Sequence, residues 1–207
     1  MDLILGNLAI LKAFVLPETE RAETTWDAAL QVIGKGIAGS MEKYCNRHFP
    51  RAVDATYICS AARSALVLDR YPVEVISSLE ILFDQGDTWE NITDMIRNND
   101  LGSGMIYLIG TQGRNSARLR VTFTGGYYVD TTEDGSGVQP AGSTELPGDL
   151  QFAWLTQCAH LWSLRDNVGA ASLIAERSKY HAPAKLADSN LVPAVQDVLN
   201  QYRRFGF

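Results

Sequence analysis

The sequence predicts an α+β fold: a small helical core of one long first helix, one long central helix and one short C-terminal helix, with an antiparallel β-insertion. Three observations predict it. Apolar residues recur every three or four positions towards both ends of the chain, they recur every second position in the middle, and a polar stretch at 130–146 separates the second pattern from the helix that follows.

The first helix is expected over residues 24–49. Trp26, Leu30, Ile33, Ile37, Met41 and Tyr44 fall on one face at steps of three and four. Thr24 or Thr25 can cap the start, Asp27 lies in the first turn where the helix dipole favours a carboxylate, and Pro50 ends the element. Gly34, Gly36 and Gly39 each cost up to about 1 kcal/mol relative to alanine in a helix interior, so three within six residues point to close helix packing or to a kink.

The β-insertion is expected over residues 55–129. The runs "TYICSA", "ALVLDRYPV", "ISSLEILFD", "MIYLIG" and "RLRVTFTGGYYV" are rich in β-branched and aromatic residues. Asp84, Gln85, Gly86 and Asp87 read as one turn, and Asn98, Asn99 and Asp100 as another. Pro72 belongs at a strand end or edge, because it cannot donate to a ladder. Gly125 and Gly126 either cradle a phosphate or let the chain change direction. A phosphate loop needs a lysine beside its glycines; residues 125–149 contain none and are acidic at Asp130, Glu133, Asp134 and Glu145, so the change of direction is the better reading.

The central helix is expected over residues 147–168. Pro147 suits its first turn, Asp149 the dipole, and Leu150, Trp154, Cys158, Leu161 and Arg165 form one stripe that stops at Gly169. Residues 170–189 read as a mixed, exposed connection. Pro193 opens the last helix, 193–203, with Val195, Val198, Leu199 and Tyr202 inward. A chain of 207 residues is long for one domain and short for two, so the expectation is a single domain, 1–207, carrying the insertion and an exposed polar loop at 130–146.

Composition restricts the chemistry. A net charge of −6 argues against a large phosphate footprint of clustered Lys and Arg. The apolar run "LAILKAFVL" is interrupted by Lys12 and is half the length that crosses a bilayer, so a soluble protein made in the cytoplasm, with no membrane partner, is expected. Cys45, Cys59 and Cys158 are odd in number and widely spaced, which suits buried reduced thiols. Cys45 with His48 and Cys158 with His160 have metal-like spacing, but no second pair completes a tetrahedron; no metal and no cofactor are expected. No GxSxG elbow is present, and no catalytic residue is nominated.

Several side chains invite a partner-binding reading beside an ordinary one. Arg47, in the run Asn46 to Phe49, either fills a corner of the core after the first helix or touches a neighbouring subunit. Trp162 is eight residues beyond Trp154 and next to the Arg165 and Asp166 pair; core and interface both remain open for it. Arg203, Arg204, Phe205 and Phe207 form a basic, aromatic tail that either frays or docks.

Taken in order, "YCNRHF", "LVLDRYPVEVISSLEI", "VTFTGGYY", "LPGDLQFAWLTQCAHLWSLRD" and "VPAVQDVLNQYRRF" make the chain resemble the head-to-tail connector (adaptor, or head-completion) proteins of tailed bacteriophages, over about residues 24–205. The resemblance implies a structural protein of the virion neck, made in the host cytoplasm and assembled as a homo-oligomeric ring of twelve beneath the portal protein. It implies that the ring meets a stopper or tail-completion protein, and that genomic DNA passes through its channel without sequence-specific binding. The β-insertion is longer than in the small, nearly all-helical members, and residues 1–23 have no clear match. Two alternatives stand beside this: another neck component, which should be dominated by strands, and a phage-associated wall hydrolase, for which Glu42, Asp149 and Glu176 supply carboxylates without evidence that any two converge.

Overall fold

The structure is a computed structural model that describes residues 5–62, 64–83, 86, 88–109, 117–132, 136–165 and 191–204. The mixed α+β class holds. The chain divides into two compact units, one helical (1–45, 130–137 and 147–203) and one of strands (46–129, 138–146 and 204–207).

The helical unit contains α1 (Leu8–Val15), a 3-10 turn (Glu18–Glu20), α2 (Asp27–Cys45), α3 (Gly148–Leu164) and α4 (Pro193–Tyr202). Helix α1 has no counterpart among the expected elements. Its start is fixed by Asn7, whose Oδ1 accepts from the N–H of Ile10 at 2.8 Å, and Leu11 is buried against the rest of the unit. Lys12 is buried as well and is satisfied there: Nζ donates to the Glu23 carbonyl and, at 2.7 Å, to Asp27 at the head of α2. Eight residues give barely two turns, which is too short for a periodic signal to stand out.

Helix α2 buries Leu30, Gly34, Ile37, Ala38, Met41 and Cys45. It stops five residues before Pro50, because Asn46 turns left-handed at φ 52°, a conformation that asparagine tolerates better than most residues. The three glycines of this helix separate into two kinds. Gly34 is buried and its carbonyl accepts from Trp154, whereas a Cβ at Gly36 or Gly39 would meet nothing within 4 Å. Close packing therefore applies to Gly34 alone.

Helix α3 buries Leu150, Trp154, Cys158 and Trp162 at successive steps of four. The expected stripe slips at its end, where Leu161 is 36% exposed and Trp162 only 6%. A period of 3.6 leaves both positions near the seam, and the larger apolar side chain takes the inside. Helix α4 begins at Pro193 and buries Val195 and Leu199. Its entry is held by Gln157, a buried side chain whose Oε1 accepts from the Val192 N–H at 2.8 Å.

The β unit holds β1 (Ala52–Ser60), β2 (Ala65–Val67), β3 (Val73–Leu82), β4 (Glu90–Asn91), β5 (Ile96–Asp100), β6 (Met105–Leu108), β7 (Arg118–Gly125), β8 (Tyr127–Tyr128) and β9 (Thr144–Glu145), with a 3-10 turn at Thr93–Met95. A four-stranded antiparallel sheet runs β1-β7-β3-β4 and a three-stranded antiparallel sheet runs β2-β6-β5. They share one apolar cluster, including Leu66, Leu68, Leu79, Ile81, Ile106, Leu119, Val121 and Phe123. Two readings need correction. Asn98, Asn99 and Asp100 belong to strand β5, paired with Tyr107, Ile106 and Met105, and the turn falls after them. The run "ALVLDRYPV" is broken, with Pro72 just before β3.

Gly125 and Gly126 are required by crowding. A Cβ on Gly125 would lie 2.8 Å from the Pro72 carbonyl oxygen, and one on Gly126, at φ +99°, would lie 2.5 Å from that of Pro50. The chain turns there between two backbone segments, and β8 then pairs in parallel with β9, Tyr127 opposite Thr144 and Tyr128 opposite Glu145.

Candidate partner-binding surface

Arg47 follows the left-handed Asn46 and turns into an aromatic box of the β unit. Its Cζ sits 3.3 Å from the centroid of the Tyr71 ring, 5.2 Å from Phe49 and 5.4 Å from Tyr127, and Nη2 donates to the Tyr71 carbonyl. Only 4% of the residue is exposed. A planar guanidinium stacks in this way, and a compact ammonium does not.

Trp162 meets Trp26 edge to face, with centroids 5.4 Å apart at 82°. Arg165 lies over both rings, 4.0 Å from Trp162 and 5.7 Å from Trp26, and its Nη1 donates to the Trp162 carbonyl at 3.2 Å. The cation therefore caps the last turn of α3, where the helix dipole favours positive charge, and its side chain stays exposed. Of the nominated residues, Trp162 and Arg165 are brought together in this way.

The tail divides between the units. Arg203 is exposed, with Cζ 5.6 Å from the Tyr44 ring, and Tyr44 in turn donates to Asn200 at 2.9 Å. Arg204 belongs to the β unit, where Nη2 donates to Tyr57 Oη at 2.7 Å and to the Val67 carbonyl at 2.5 Å. Asp166, Phe205 and Phe207 lie outside the described residues.

Residue patterns give little warning of the exposed apolar residues of the helical unit. Phe14 on α1 and Phe152 on α3 are 43% and 60% exposed and touch edge to face at 5.9 Å. Phe152 falls off the inward stripe of α3, which was its only sequence signal; Phe14 belongs to the helix that was not expected.

Among the described residues of the polar stretch, Asp130 organises a local turn. Asp130 accepts from the Thr132 N–H and hydroxyl at 2.9 and 2.6 Å through one oxygen and from the Gly137 N–H at 3.0 Å through the other. Asp100 is held below the usual carboxylate range by bonds from Ser103, and Arg51 is held further towards its cation by a bidentate pair with Glu74, at 2.7 and 2.8 Å. Burial pushes the Cys158 thiol up to about 12, which removes it as a nucleophile near neutrality. Among the described residues no group of three or more His, Cys, Asp or Glu could hold a metal ion, and no helix is long and apolar enough to cross a membrane.

The chain matches no protein-family profile and no curated protein sequence. Its fold is similar to chains in several solved structures, these three among them. One, the neck of an empty gene transfer agent (GTA) particle computed with C6 symmetry, aligns over 96% of this chain and 89% of its own with a TM-score of 0.56 and 15% identity. A second, the virion of a native GTA particle, gives the same coverages and identity with a TM-score of 0.57. The third, the neck of a native GTA particle computed with C12 symmetry, gives 0.51 and 16% identity over 87% of this chain and 85% of its own. The shared property is an α+β architecture over almost the whole chain.

Proposed function

We propose that this chain is a structural protein of a virion neck, an adaptor that assembles as a ring between portal and tail, extends the DNA channel and gives the tail its platform. The observation that carries the reading is the fold similarity to a neck chain over 96% of the sequence. Ring formation is supported by the cyclic symmetry of those GTA necks. The net charge of −6 suits a channel that passes genomic DNA without adhesion. In this reading the chain has no enzymatic role, acts in the virion after assembly in the host cytoplasm, and binds the portal on one side and a stopper or tail-completion protein on the other. Arg165 and Arg203, with Asp166, Phe205 and Phe207, are the partner contacts in this reading, while Arg47, Trp162 and Arg204 each hold local structure within their own unit.

Complementation tests the proposal. Particles assembled without this protein should contain portal-bearing heads that fail to join tails, and adding the purified chain should restore joining. Heads that join tails equally well without it would contradict the reading.

A further inference from the structure

We draw no further inference here: the strongest candidate, the exposed apolar surface of the helical unit where Phe14 of α1 meets Phe152 of α3 one turn beyond Ile10, carries nothing because nothing in the structure shows what covers it.

Discussion

The indole N–H of Trp154 donates to the carbonyl oxygen of Gly34 at 2.9 Å, which ties the largest fully buried side chain among the described residues to the backbone of α2 at that helix's buried glycine. Gly6 closes over the same ring, since a Cβ there would lie 2.7 Å from Trp154 Cζ3. The N-terminal segment, α2 and α3 are thus joined through one aromatic side chain.

Trp154→Phe removes the indole N–H that reaches the Gly34 carbonyl, whose helical hydrogen bond remains, and leaves the space of the lost ring unfilled, so a loss of about 1–3 kcal/mol is expected. Gly6→Ala forces a methyl group against the ring and should cost about 1–3 kcal/mol. Urea midpoints check both; a Trp154→Phe protein as stable as the parent would show that the bond to Gly34 contributes nothing.

Glycine substitutions should separate by position. Gly36→Ala and Gly39→Ala add a methyl to open helical surface and should each stabilise by up to about 1 kcal/mol. Gly126→Ala combines a positive φ with a collision on the Pro50 carbonyl and should be destabilising by well over 1 kcal/mol. Thermal midpoints of the three variants decide the matter, and a stabilising Gly126→Ala would refute the crowding described for the turn.

These glycines also show how far the sequence is legible. Periodicity located α2, α3 and α4 and the stretch of strands, because each buries a face large enough to impose a period of 3.6 or 2 on its residues. Ends were harder. Pro50 looked like the stop for the first helix, yet Asn46 ends it, since a left-handed residue is a backbone choice that leaves little trace in an apolar pattern. Gly34, Gly36 and Gly39 are alike in the sequence and differ only in what surrounds them. The polar run Asn98 to Asp100 looked like a turn because an exposed strand has no apolar alternation to reveal it. Of the candidate surface, the nearness of Trp162 to the Arg165 and Asp166 pair was legible, while the stacking of Arg165 over Trp162 was not; nor was the exposed Phe14, because α1 was too short to recognise.

Arg47→Lys should fold but lose about 1–2 kcal/mol, because an ammonium cannot stack between Tyr71 and Tyr127 while donating to the Tyr71 carbonyl. Denaturant unfolding of the β unit measures the loss. Unchanged stability together with weakened assembly would move Arg47 from a bracing role to a partner contact.

Cys158 sets an alkaline limit. Its folded value is raised from 9.0 to about 12, so below about pH 9 the thiol is neutral in both states and stability does not depend on it. Above that, the unfolded chain loses its proton first. Stability should then fall towards pH 12 by up to about 1.4 kcal/mol per pH unit, and Cys158→Ala should flatten the slope. At pH 8 a thiol reagent should leave Cys158 unmodified in the folded protein; rapid modification without unfolding would contradict its burial.

The most direct test of the neck reading is the native mass of the purified chain, alone and after addition of portal protein. With portal present, the chain should join it as a closed ring of about twelve copies of the 22.8 kDa subunit. A chain that remains monomeric and separate from the portal at every concentration would contradict it.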